Sequence, residues 1–229
     1  MADLRKSRGD QGEVTREKLL TAALDLFGRR GFDGTSTRAL ADAAGVNLQA
    51  IPYYFGGKEG LYHETARSIA GAIAARLADR RARIAARLDE ATAMGRPIDP
   101  VEARVLLTDV VQAMAGLFVS KESEPWARFL IREQMEPTEA FRQIYGTVMK
   151  PVLDLAGRLV GVLLDEDPLS EPVRLRTVSL MGGVLVFRVA HAAALTHLDW
   201  PTIGAREAAV VADLAGDLVA SIGPRERRE

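Results

Sequence analysis

The stretch STRALADAAGVNLQAIPYYF, Ser36 to Phe55, decides the fold. Leu40, Ala41 and Ala44 recur at helical spacing and give its first half one apolar face. Gly45 stands where that helix must stop, because glycine enters the left-handed region without a Cβ penalty. Val46 is the expected buried anchor of the turn. Asn47 can cap a second helix that carries Gln49, Tyr53 and Tyr54 beside Ile51 and Phe55. Two short helices held at an angle by a tight turn form a helix-turn-helix, which places its second helix in the major groove of DNA.

Upstream, Thr15 can cap a first helix in which Leu19, Ala22, Ala23, Leu26 and Phe27 follow at helical spacing, ended by Gly31 and the turn Asp33-Gly34. Downstream, Gly56 and Gly57 break the chain before Lys58 opens a long amphipathic run to Met94. Its apolar side is Leu61, Ile69, Ile73, Leu77, Ile84 and Leu88. Arg76, Arg80, Arg81, Arg83 and Arg87 give it a basic surface, read as a solvated face.

Together, TREKLLTAALDLFGRRGFDGTSTRALADAAGVN (Thr15 to Asn47) and YYFGGKEGLY (Tyr53 to Tyr62) resemble the TetR family of bacterial transcriptional regulators. The resemblance implies an all-α protein: an amino-terminal three-helix helix-turn-helix DNA-binding domain, then a helical-bundle ligand-binding and dimerisation domain. It implies a repressor released from its operator by a small-molecule effector. The expected domains are residues 14–60 and 61–223, with tails at 1–13 and 224–229. The first tail has a second reading, a basic DNA-touching arm through Arg5, Lys6 and Arg8. The expected DNA-binding residues are Ser36, Thr37, Arg38, Asn47, Leu48, Gln49, Ala50, Pro52, Tyr53, Tyr54 and Lys58. Thr37, Arg38 and Lys58 are assigned to phosphate, and Gln49, Tyr53 and Tyr54 to bases or backbone. Pro52 departs from the family, which usually has a residue able to donate its amide there. In a regular helix interior proline costs roughly 3 kcal/mol, so the second helix is expected to be distorted, tight in its first turn, or short.

The remaining chain reads as further helices. Asp99-Pro100 starts one, with Glu102 as a capping-box partner, and Val101 to Val119 is apolar on more than one face. Trp126 to Pro137, Thr138 to Asp167, Ser170 to Leu195 and Ala205 to Ile222 follow. Arg132 to Gln134, Pro137, Phe141, Tyr145 and Pro151 resemble the carboxy-terminal domain of the CecR-type branch of TetR regulators. Candidate effector-pocket residues are Phe118, Trp126, Phe129, Glu133, Phe141, Tyr145, Phe187 and His191. Aromatics at helical spacing serve equally as core, and His191 reads either as a hydrogen-bonded core histidine or as a ligand contact. The last two long helices are expected to form a homodimer, with Gly182, Gly183, Ala212 and Gly216 permitting close approach; closing the monomer core is the alternative.

Composition is compatible with this reading without carrying it. The chain has 229 residues, 48% of them hydrophobic and 6% aromatic, and a formal net charge of −1, so phosphate affinity must come from a local patch. There is no cysteine, hence no disulfide, thiolate metal site or cysteine nucleophile. No GxSxG, P-loop or HExxH motif occurs, and His63, His191 and His197 lie in separate segments. Neither enzyme activity, cofactor nor metal is expected; His63 reads as an exposed partner of Glu59. The amino terminus lacks the apolar core of a secretory signal, and Arg188 and His191 interrupt the apolar run Val178 to Leu195, read as a buried helix. The expected partners are a pseudo-palindromic double-stranded DNA operator, a second copy of the chain and an unidentified effector, in the cytoplasm and with no membrane. A helical adaptor that does not read DNA is the competing class.

Overall fold

The computed structural model describes residues 2–224, with side chains from residue 11 onward. Among the described residues every regular element is helical: α1 Ala2–Arg30, α2 Thr37–Ala44, α3 Ala50–Phe55, α4 Lys58–Ala93, α5 Pro100–Val119, α6 Glu124–Met135, α7 Glu139–Ile144, α8 Lys150–Leu164, α9 Glu171–Val189, α10 His191–His197 and α11 Ala205–Ala220. A 3₁₀ turn, Lys121–Ser123, precedes α6, and a π turn, Tyr145–Met149, separates α7 from α8. No single helix among the described residues is long and apolar enough to cross a membrane.

The chain packs into two compact units. The first contains Met1–Ile73 and Pro125–Thr147, the second Ala74–Glu124 and Val148–Glu229. Compactness therefore does not follow the expected boundary at residue 60: the start of α4 and almost all of α6 and α7 belong with the helix-turn-helix.

In the first unit, α1 begins at Ala2, where a polar tail to residue 13 was expected; residues 1 and 225–229 of the expected tails lie outside the described residues. Thr15 consequently caps nothing and donates its hydroxyl to the Gln11 carbonyl at 2.9 Å inside the helix. Leu19, Ala23, Phe27, Leu40, Ile51 and Leu61 are buried in this core.

In the second unit α5 is central, packing against α8, α9 and α11. Asp99 caps it, its carboxylate accepting from the Val101 amide at 2.8 Å and the Glu102 amide at 3.1 Å. Glu102 does not return the cap as expected. It takes both Nε and Nη2 of Arg87, at 2.7 and 2.9 Å. The basic face of α4 is likewise less free than the sequence suggests. Arg80 and Arg83 both pair with Asp109 at 2.8 and 2.7 Å, and Arg76 pairs with Glu122 at 2.6 Å. Charge runs on one helix say nothing of acids supplied by another.

Two further expectations change. The helix expected from Ser170 to Leu195 is broken, and its apolar run Val178 to Leu195 is not one buried helix: α9 and α10 meet at Ala190 with a bend of 85°, and Val178, Val186 and Val189 are exposed. The helix from Thr138 contains the π turn just before Pro151, whose ring nitrogen cannot donate and whose ring crowds the preceding turn. Of the small residues expected to admit a partner, Gly183 instead admits Leu218 and Gly216 faces Gln112, both inside the unit; only Gly182 of these glycines meets open space.

Helix ends in this unit are closed by arginines from other helices. Arg104 donates to the carbonyls of Val219 (2.6 Å) and Ile222 (2.8 Å) at the end of α11. Arg188 on α9 donates to the carbonyls of Phe118 (2.5 Å) and Ser120 (2.7 Å) and to the Ser123 hydroxyl (3.0 Å), satisfying the orphan acceptors at the end of α5. Arg188→Met should therefore lower stability by about 2 kcal/mol in urea unfolding, with Arg188→Lys recovering only part because a point donor cannot span three acceptors. An unchanged unfolding midpoint would show that Arg188 does not hold this helix end.

Candidate nucleic-acid interface

The helix-turn-helix is built by local capping. Ser36 accepts the Ala39 amide at 3.1 Å and starts α2. Gly45 stops it at φ 63°, ψ 38°, the left-handed conformation anticipated there, while the Val46 amide returns to the Ala41 carbonyl at 3.0 Å. Val46 itself is only half-buried. Asn47 accepts the Gln49 amide through Oδ1 at 2.8 Å and opens the turn into α3.

Pro52 is accommodated because α3 begins tightly. The Ala50 and Ile51 amides reach back three residues to Asn47 and Leu48, at 2.9 and 3.3 Å. The Leu48 carbonyl, which residue 52 would have satisfied, already accepts from Ile51. Regular four-residue bonding starts only with Tyr53 to Gln49 at 3.2 Å. Pro52 thus lies in the first turn, where a missing donor costs little, rather than in a helix interior. The helix is short and tight-turned, as its sequence implied.

This geometry turns one set of side chains outward. Asn47, Leu48, Gln49, Pro52 and Tyr53 are exposed, Tyr53 to 80%, and Gln49, Ala50, Pro52 and Tyr53 line one shallow surface depression. At the start of α2, Arg38 is exposed and Thr37 half-buried. Tyr54 behaves differently from Tyr53. Its ring lies edge-on to that of Tyr53, centroids 4.8 Å apart, and its hydroxyl is 3.2 Å from where a Cβ at Gly12 would stand. It is packed back onto α1. Lys58 opens α4 with its ammonium 4.2 Å from the centre of the Phe32 ring, a cation–π contact at a helix amino terminus.

Behind this surface, Tyr62 packs edge-on against Phe27 and Phe32, at 4.8 and 5.2 Å, and tilted against Phe129 at 4.9 Å. Its hydroxyl donates to Glu133. Burial first, and then that hydrogen bond and the Glu133 charge, push the Tyr62 hydroxyl well above the usual tyrosine range, Arg132 opposing. His63 lies 3.8 Å from Glu59, the i,i+4 pair read from the sequence, but is half-buried rather than exposed.

The candidate effector residues divide between the units. Trp126, Phe129, Glu133, Phe141 and Tyr145 lie in the first, and Phe118, Phe187 and His191 in the second. Phe129 and Glu133 are buried against Tyr62, and Phe141 stacks on Tyr145 at 5.8 Å. His191 is no core histidine: it is exposed at the start of α10, with Nδ1 3.2 Å from the Phe187 carbonyl oxygen. In the second unit a cavity of about 10 Å³ is lined by Leu77, Arg80, Arg81, Val110, Ala113, Met114, Val152 and Leu155, none of them among the candidates.

Comparison with known proteins agrees with this geometry. The profile described as "Bacterial regulatory proteins, tetR family" matches residues 19–65, and that described as "HTH-type transcriptional dual regulator CecR, C-terminal domain" matches residues 103–223. The HTH-type transcriptional dual regulator CecR of Shigella flexneri is 31% identical over 190 residues, 83% of this chain and 82% of that protein. The probable HTH-type transcriptional regulator YttP of Bacillus subtilis (strain 168) is 49% identical over 47 residues, 20% of this chain and 23% of YttP. Among solved structures, a TetR-like transcriptional regulator from Rhodococcus sp. RHA1 shares the fold, with a TM-score of 0.62 at 20% identity over 90% of this chain and 93% of that one.

The junction of α3 and α4 depends on Gly60, where a Cβ would run into the Phe55 carbonyl oxygen. Gly60→Ala should cost about 1–3 kcal/mol by overpacking and detach α3 from α4, seen as a lower thermal midpoint and faster amide exchange in Ala50–Phe55. A variant with unchanged melting and exchange would refute the close approach.

Proposed function

Because the chain belongs to the TetR family of bacterial transcriptional regulators, with a carboxy-terminal domain of the CecR type, we propose that it is a repressor released from a pseudo-palindromic operator by a small-molecule effector. The observation that carries the reading is the outward surface of α3, where Gln49 and the exposed Tyr53 stand beside Pro52, with Arg38 exposed on the preceding helix. Gln49 and Tyr53 are the base-reading candidates, with Asn47, Leu48 and Ala50 beside them. Ser36, Thr37, Arg38 and Lys58 serve phosphate, and Tyr54 supports the reading helix from behind. Its place of action is the cytoplasm, with the DNA.

Two copies are needed to read two half-sites about 34–36 Å apart or more. The exposed apolar side chains of α9 and α11, including Leu175, Val178 (59% exposed), Val186, Val189, Val210 and Leu214, support those helices as the self-complementary interface. The regulator reading is tested by mobility shift on the intergenic DNA beside its own gene at physiological salt. Lys58→Ala should weaken binding to all sequences alike and lower the salt slope by about one unit. Val178→Glu should give a monomer in sedimentation that loses the operator. Wild-type binding no tighter than to random duplex would refute the regulator reading, and a dimeric Val178→Glu variant would refute the interface.

The effector proposal rests on packing. A cavity of about 10 Å³ between α4, α5 and α8 holds no more than one water, so a ligand there must bind an opened arrangement. Release of the operator then requires that the opened arrangement be the one that binds DNA more weakly. Its mostly apolar lining with Arg80 and Arg81 favours an amphipathic compound over a sugar phosphate. Titrating such compounds while following Trp126 and Trp200 fluorescence should show tighter binding without operator than with it. Equal affinity in both states would exclude the compound's site as the switch.

A further inference from the structure

Glu133 is 1% exposed and far in sequence from the helix-turn-helix, yet it belongs to the same compact unit. Its carboxylate is fully engaged there. One oxygen accepts the Tyr62 hydroxyl of α4. The other accepts the Thr138 hydroxyl at 2.8 Å and the Thr138 amide at 3.2 Å, where Thr138 in turn caps α7 by accepting the Ala140 amide at 3.1 Å. A buried leucine would fill the same space but leave the Tyr62 hydroxyl and the Thr138 amide without acceptors. The carboxylate therefore does what an apolar side chain cannot: it fixes the direction of Tyr62.

Tyr62 is one turn from Lys58 on α4, and its ring packs edge-on against Phe32, the same ring that the Lys58 ammonium lies over at 4.2 Å. Whatever sets Tyr62 sets both the rotation of the first turns of α4 and the platform for Lys58. We infer that Glu133 is a positioning residue for DNA binding, acting through Tyr62 and Phe32 on the phosphate contact of Lys58. This rests on the reading that Lys58 touches phosphate.

The test is a double-mutant cycle on the full chain, read as operator affinity by mobility shift, with circular dichroism to compare folding. Glu133→Gln is isosteric but cannot accept from all three donors, and should weaken operator binding on the order of tenfold. In a Lys58→Ala background the same change should have little further effect, because the contact it positions is gone. Tyr62→Phe, which keeps the ring and removes only the hydroxyl that Glu133 accepts, should follow Glu133→Gln. Tyr62→Phe decides the matter should Glu133→Gln not fold. A loss of equal size with and without Lys58 identifies a general structural role and overturns the inference. So does wild-type affinity in Glu133→Gln, or in Tyr62→Phe. Wild-type affinity in Lys58→Ala alone refutes the phosphate reading and, with it, this inference; a weakened Lys58→Ala beside an unaffected Glu133→Gln refutes only the positioning role.

Discussion

The amino-terminal unit depends on one side chain, Tyr62, on which two segments distant in sequence from it converge. Phe27 and Phe32 come from α1 and the turn after it, Phe129 comes from α6, and each meets the Tyr62 ring at 4.8 to 5.2 Å. Edge-on and tilted aromatic pairs add about 0.5–1.5 kcal/mol each beyond the area they bury, so the cluster is a substantial share of a small unit's stability. The approach is close because Gly28 has no side chain: a Cβ there would be 3.2 Å from that of Arg128 and 3.4 Å from the Phe129 amide nitrogen. Such a cluster holds a tyrosine only if its hydroxyl finds an acceptor, which is the place Glu133 fills. The start of α4, which follows the helix-turn-helix directly, is thus held from one side by α1 and from the other by α6.

The second unit solves a different problem. It has an apolar central helix, α5, and long helices whose ends would leave carbonyls exposed or orphaned. Arg104 and Arg188 close those ends from neighbouring helices, and Asp109 and Glu102 gather the arginines of α4. Guanidinium suits this work because its donors are spread in a plane and serve two acceptors at once. Burial lowers the proton affinity of Arg188 somewhat, with the charge of Glu124 opposing, and its three acceptors reward keeping the charge.

What could be read from the sequence was what local chemistry decides. Gly45 in the left-handed region and a short α3 follow from residues that touch only their chain neighbours, as does Asn47, which holds the Gln49 amide in the turn rather than capping α3 itself. The bend at Ala190 was invisible because no glycine or proline marks it. The arginines of α4 looked solvated because their acids lie on another helix or the turn that follows it. Tyr54 and Tyr53 are indistinguishable as letters, and only the passage of α1 at Gly12 separates a supporting ring from an exposed one. By spacing Glu133 is a polar residue in an aromatic segment and reads as a ligand contact; its partners, Tyr62 and Thr138, leave no mark in the spacing. Apart from the bend, each of these differences comes from a contact that is distant in sequence.

The same contacts set the energy scale on which α4 can respond within the second unit. Buried Leu77, Ile84 and Leu88 hold it there, and so do ion pairs whose side chains are about a third to two-thirds exposed. Such pairs are worth only about 0.2–1 kcal/mol each, so exchanging one partner for another costs little. The cavity beside Leu77 and Arg80 is too small for a ligand as it stands, and opening it strips contacts from Val110, Met114 and Leu155 as well. Allosteric couplings are typically about 1–3 kcal/mol. A helix held by a few apolar anchors and several weak, replaceable ion pairs can be shifted within that range. One locked throughout by buried leucines could not.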